Sequence, residues 1–214
     1  MSQPKVIFLD AVGTLFGVKG SVGQIYSEMA CSFGVEAEAE PLEQAFLKNF
    51  KAAPPMAFPD LEPTAIPAKE YAWWKAIARS TFQMVGVFDQ FSNFDRFFDN
   101  LYFHFATAQP WFVYPDVYEF LESWRLHGIE LGVLSNFDSR IYPVLELLSL
   151  ANFFKSVTIS TEVGAAKPDP LVFTTALQKH DCLASEAWHV GDSYEQDYEG
   201  AKTAGLKGIW LKRK

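Results

Sequence analysis

Apolar positions along the chain fall into two patterns. Short, largely apolar runs occur at residues 5–9, 129–134, 157–160, 187–190 and 207–211. Such runs suit parallel strands covered on both faces. Between them the apolar positions space out as on helices. "PDVYEFLESWRLHG" opens with Asp116 as an expected N-cap and stops at Gly128, where a chain can turn left-handed. "DSRIYPVLELLSL" follows the second run, with Pro143 expected in the first turns. "DPLVFTTALQKHD" has Asp169 as cap and Pro170 at the first helical position. "SYEQDYEGAKTAG" precedes the last run and ends at Gly205. This succession of βα units predicts an α/β fold with a doubly wound, Rossmann-like parallel sheet.

The alternation breaks between the first run and Pro110. Segments 23–33 and 42–50, "YAWWKAIARSTFQMVGVF" and "FDRFFDNLYFHFA" read as helical, and the Pro-rich stretch 51–70 reads as a connector. Residues 18–108 are therefore expected to form an inserted, mostly helical cap, with residues 1–17 and 109–214 forming the core.

Composition narrows the function classes. The 214 residues are 49% hydrophobic and 16% aromatic, enough for a packed core. Apolar runs fall short of the roughly 18 residues that span a bilayer, and "MSQPKVIFLD" reads as a first strand, not a signal peptide. Cys31 and Cys182 lie far apart without a CxxC partner, which predicts reduced thiols and a cytoplasmic protein. A net charge of −8 argues against nucleic-acid binding. The basic tail "LKRK" is expected to be a solvated end.

In a parallel sheet, ligands bind at the carboxyl ends of the strands. Asp10, Ser135, Lys167 and Asp192 follow four successive strand ends in that order. Asp10 is a short carboxylate suited to nucleophilic attack on a phosphoryl group. Gly13 permits the sharp turn that brings backbone N–H groups to an anion. Thr14 and Ser135 offer hydroxyls to phosphoryl oxygens, and Lys167 a fixed positive charge. Asp192 and Asp197 add two further carboxylates, an all-oxygen set of the kind Mg²⁺ takes at about 2.0–2.1 Å.

"DAVGT", Ser135–Asn136, "KPDP" from Lys167 and "GDSYEQD" from Gly191 resemble the four ordered motifs of the haloacid dehalogenase superfamily. The resemblance covers residues 1–16 and about 109–214, and the insertion lies where one branch of the superfamily carries a helical cap. It implies Asp10 as the nucleophile that forms an aspartyl intermediate, with Lys167 as its catalytic partner. Thr14, Ser135, Asn136 and Lys167 would contact phosphate. A Mg²⁺ ion would bind Asp10, the Val12 carbonyl and Asp192, with Asp197 holding its water shell.

Val12 departs from that pattern. Phosphatases of the superfamily usually carry a second Asp there, which protonates the leaving oxygen and then activates water. Valine cannot move a proton, and general acid–base help is worth about 10²–10⁴-fold. The expected activity is thus a weakened, Mg²⁺-dependent phosphatase acting on a small phosphorylated metabolite, with no nucleic-acid or membrane partner. The alternatives are a nearly inert protein that binds phosphate and metal, a metal-independent 2-haloacid dehalogenase, or a C–P hydrolase using a cap lysine such as Lys48, Lys51, Lys69 or Lys75. Asp138 is expected to cap a helix, His189 to be a packed core residue, and the aromatic stripe 82–105 to be helix packing.

Overall fold

The computed structural model describes residues 3–213. In chain order its strands and helices are β1 (Val6–Leu9), β2 (Phe16–Val18), α1 (Val22–Cys31), α2 (Ala39–Ala52), α3 (Ile66–Val85), α4 (Phe94–His104), β3 (Trp111–Val113), α5 (Val117–Leu126), β4 (Glu130–Ser135), α6 (Ile141–Leu147), β5 (Ser156–Ile159), α7 (Ser160–Val163), α8 (Pro170–Gln178), β6 (Ala187–Gly191), α9 (Gly200–Thr203) and β7 (Lys207–Trp210). A π-helical turn, Tyr194–Glu199, leads into α9. Five strands form a parallel sheet in the order β5-β4-β1-β6-β7, the α/β architecture that the alternating pattern predicts. Central β1 is buried along its whole length, because Val6, Ile7, Phe8 and Leu9 are covered on both faces. Its last residue, Leu9, pairs with Val133 and Val190 on either side. The loops after β1, β4 and β6 therefore leave the sheet along one rim.

The chain divides into two compact units, Met1–Gly17 with Met56–Ile66 and Phe112–Lys214, and Val18–Pro55 with Pro67–Trp111. The short strands β2 and β3, which pair with each other, lie where the chain passes from one unit to the other. The sheet unit takes in Met56–Ile66, which the sequence division assigned to the insertion. This segment is held there by a hydrogen bond from Ser160 Oγ to the Met56 carbonyl at 2.6 Å. The second unit is helical, and its interior is built from Tyr26, Phe46, Phe82, Phe94, Phe97, Phe98 and Tyr102, packed ring against ring.

Local corrections follow from specific contacts. Asp169 caps α8 as expected, accepting from Leu171 N at 2.8 Å. Asp116 makes no capping bond to α5; its carboxylate instead accepts from Arg213 Nη1 at 2.5 Å. Arg213 also donates through Nη2 to the Thr14 carbonyl at 2.5 Å and lies over the Tyr114 ring. Arg213 is thus docked, whereas Lys212 is exposed, as expected of a solvated tail; Lys214 lies outside the described residues. Asp138 does more than cap a turn. It is fully buried and receives the backbone N–H, Nε and Nη2 of Arg140 at 3.0, 2.8 and 2.6 Å. Cys31 and Cys182 are free thiols. Among the described residues no helix is long and apolar enough to cross a membrane.

Candidate active site

The loop after β1 is tightly wound. The Ala11 carbonyl accepts from Thr14, Leu15 and Phe16 N–H at 3.3, 2.8 and 3.2 Å, and Gly13 N–H returns to the Phe16 carbonyl at 2.9 Å. Gly13 has φ +87°, a left-handed conformation open to glycine, and a Cβ there would collide with the Asp192 carboxylate. A second clearing lies at Gly191, where a Cβ would strike the Asp197 carboxylate. The two glycines thus make the room in which two acidic side chains approach the rim.

One carboxylate oxygen each from Asp10, Asp192 and Asp197 lies within 4.8 Å of the others. Asp10 and Asp197 are buried and Asp192 is exposed. Asp197 reaches this place through the π-helical turn, in which Ser193 carbonyl accepts from both Asp197 N–H at 3.0 Å and Tyr198 N–H at 3.2 Å. The widened turn replaces the regular helix expected from the sequence. It also lets Asp197 Oδ2 accept from Ser193 N–H at 2.9 Å.

Lys167 stands between two of the carboxylates. Its buried ammonium donates to Asp10 Oδ1 at 2.7 Å, Asp197 Oδ1 at 2.6 Å and the Leu134 carbonyl at 3.0 Å, so all three N–H bonds are occupied. Burial works against the lysine's charge, but the two carboxylates outweigh it and hold its pKa above the usual value. Burial raises the pKa of Asp10, against the opposing pull of Lys167. Burial also raises that of Asp192, and Asp197 adds to the rise. For Asp197 burial is overcome by Lys167 and His189, which hold its carboxyl well below the usual range.

Three carboxylates against one ammonium leave a formal excess of two negative charges around a small volume. Such an excess is unfavourable in a partly desolvated place unless a cation joins it. The all-oxygen donor set fits a hard divalent ion of the Mg²⁺ type.

The other expected residues divide. Ser135 is the last residue of β4 and is buried at the same rim. Val12 is 36% exposed, an apolar side chain beside the carboxylates with no proton to transfer. Among the described residues no donor falls on its carbonyl. Asn136, expected to contact phosphate, instead clamps the Lys167 backbone. Its Oδ1 accepts from Lys167 N–H at 2.7 Å and its Nδ2 donates to the Lys167 carbonyl at 3.0 Å and to Gln196 Oε1 at 3.2 Å. With both ends of the amide taken, Asn136 positions the lysine. Thr14 is buried beside Gly13, and its Oγ1 is shielded with no hydrogen-bond partner among the described residues.

His189 was missed as a site residue. It is buried in β6, as expected of a core residue, but its Nε2 lies 3.0 Å from Asp197 Oδ1. The signal was available: side chains two apart on a strand share a face, so the face that Gly191 clears for Asp197 also carries His189.

Comparison with known proteins shows the family and the fold. The family model for haloacid dehalogenase-like hydrolases matches residues 4–205. The chain is 33% identical over 208 residues to haloacid dehalogenase-like hydrolase domain-containing protein 3 of Danio rerio, covering 97% of this chain and 85% of the relative. Among solved structures it resembles a HAD phosphatase from Thermococcus onnurineus (TM-score 0.65, 24% identity, 98% of this chain and 86% of that one). It also resembles a dehalogenase captured with an intermediate (TM-score 0.71, 17% identity, 100% and 87%). At these identities the two structures speak for a shared fold, on which both chemistries occur.

Proposed function

The chain belongs to the haloacid dehalogenase-like hydrolase family, and from that premise we propose that it is a Mg²⁺-dependent phosphatase of small phosphorylated metabolites, with Asp10 as nucleophile. The observation that carries this reading is the convergence of Asp10, Asp192 and Asp197 beside Lys167. Attack on a haloalkanoate carbon, as in the superfamily's dehalogenases, has no use for such an acidic cluster, whereas a phosphate dianion needs positive charge brought to it. Asp10, the Val12 carbonyl and Asp192 would hold the ion, with Asp197 steadying its water. There the ion supplies charge neutralisation for the phosphoryl oxygens.

The chain's own residues then do the following. A carboxylate oxygen of Asp10 attacks phosphorus, the bond to the leaving oxygen breaks, and that oxygen departs with the electron pair and takes its proton from solvent. Water next attacks phosphorus, releases inorganic phosphate and restores the carboxylate. Lys167, its N–H bonds engaged, contributes a fixed charge beside the reacting oxygen. Ser135 is the hydroxyl placed at the rim for a phosphoryl oxygen. Since Val12 has no proton to give, turnover favours leaving groups that depart unaided, such as acyl or aryl phosphates.

The test is phosphate release from a panel of phosphorylated metabolites, with Mg²⁺ or with a chelator, for wild type and Asp10→Asn. Release that needs Mg²⁺ and falls by roughly 10⁴-fold or more in Asp10→Asn supports the reading. Tight phosphate-ester binding without turnover would replace it with a binding protein. A second reading, dehalogenation, is favoured by Val12 and gains only if halide is released from 2-haloacids in the presence of chelator.

A further inference from the structure

His189 is fully buried (0% exposed) in β6, and its two nitrogens fare differently. Nε2 meets Asp197 Oδ1 at 3.0 Å, whereas Nδ1 is shielded from solvent and has no hydrogen-bond partner among the described residues. Phe173 lies edge-on to the ring at a centroid distance of 5.5 Å, and the charges of Lys167 and Asp10 lie close enough to act on it. An aliphatic side chain would fill this place without stranding a polar atom, so packing alone does not account for an imidazole. The bare Nδ1 leaves the ring proton on Nε2, facing the carboxylate, and the ring then offers a dipole that does not compete with a cation for the site.

We infer that His189 is a positioning residue, fixing Asp197 for the cation through a bond that Asp10 does not share. This rests on the cation reading of the site given above. Asp197 is held by donors from three places: Lys167 Nζ at 2.6 Å and His189 Nε2 at 3.0 Å on Oδ1, and Ser193 N–H at 2.9 Å on Oδ2. The lysine is shared with Asp10 at 2.7 Å. When Asp10 becomes an acyl phosphate, its carboxylate charge is lost to the new mixed-anhydride bond and the balance of forces on that ammonium changes. His189 has no bond to Asp10 among those described and keeps its hold on Asp197 through both half-reactions. The Ser193 N–H, fixed in the backbone, sets the other oxygen. Removing the neutral donor leaves Asp197 tied to the one group whose load varies during turnover.

The test compares Mg²⁺ binding, measured by calorimetry and by the Mg²⁺-dependent rise in melting temperature, in wild type, His189→Leu and His189→Gln. Glutamine carries an N–H donor at nearly the reach of Nε2. The expected result is a loss of Mg²⁺ affinity of about 10–100-fold in His189→Leu, as for other groups that orient metal ligands. The metal-free melting temperature should stay level or rise, and His189→Gln should recover most of the affinity. Wild-type affinity in a folded His189→Leu would overturn the inference and leave the cation reading standing. Equal weakening in both variants would also overturn it, since any perturbation of packing would then suffice. Failure of the wild type itself to bind Mg²⁺ would bring down the cation reading and this inference with it.

Discussion

In the sheet unit, full charges are buried in organised groups: Lys167 between Asp10 and Asp197, and Arg140 in a three-bonded grip on Asp138. The helical unit also buries Glu70, but its interior is chiefly aromatic: Phe82 is surrounded by Tyr26, Phe91, Phe94 and Phe97 at centroid distances of 5.7, 5.0, 6.3 and 5.2 Å. Ring packing of this sort draws its stability from apolar area and shape. Buried ion pairs give little net stability over an apolar filling, so a chain able to build an aromatic core has no structural need of Lys167 among carboxylates. The difference teaches where to look for chemistry: in the unit whose interior is electrostatically unfavourable without further purpose.

That contrast can be broken by substitution. Lys167→Met removes the ammonium from two buried carboxylates and should lower stability by about 3–5 kcal/mol while stopping turnover. Urea unfolding at neutral pH and phosphate release on the same preparation check both. Phe82→Ala should lower stability by a similar amount, about 3–5 kcal/mol, yet keep turnover per folded molecule. Lost turnover at temperatures where that variant is still folded would blur the contrast. Val12→Asp places a proton-transfer group beside Asp10 and should raise turnover of poor leaving groups by about 10²-fold. No gain would mean that another residue already supplies the proton.

The smallest effect expected is at the amino ends of the sheet strands, where Glu130 accepts from His180 Nδ1 at 2.6 Å and pairs with Lys155. Burial pushes the Glu130 carboxyl up, but bonds from Lys155 and His180 outweigh it and hold its pKa below the usual value. The sign follows: its contribution to stability is complete above the unfolded value of about 4.3 and fades as pH falls through the lower, folded value. Glu130→Gln should therefore flatten part of the acid limb of a plot of urea midpoint against pH. An unchanged limb would show that these bonds do not hold the carboxyl down.

Local patterns carried the sheet, because covered parallel strands must be apolar on both faces, and they carried the rim, because Asp10, Ser135 and Asp192 sit at or just beyond strand ends. What lay hidden depended on distant partners. Arg213 reads as part of a basic tail until its contacts with Thr14 and Asp116 are seen, and neither is near it in sequence. Asn136 reads as a phosphate contact until Lys167 takes both ends of its amide. Residues 56–66 read as connector because Pro spacing reports local stiffness and says nothing about the Ser160 hydroxyl that holds Met56. The π-helical turn escaped for a similar reason: an i to i+5 bond leaves no distinct hydrophobic period.

The placement of β1 has a consequence for how the protein comes into being on the ribosome. This strand is synthesised before its sheet neighbours but occupies the centre, so Val6–Leu9 emerges with neither flanking strand in existence. One partner follows only with Glu130–Ser135 and the other with Ala187–Gly191. Pairings so far apart along the chain form slowly. Meanwhile the helical unit, whose sequence lies wholly between β1 and β4, can gather its aromatic interior first. The nascent apolar strand must wait through that interval, and the Arg213 contact to Thr14 closes the first loop only after every strand of the sheet has been made.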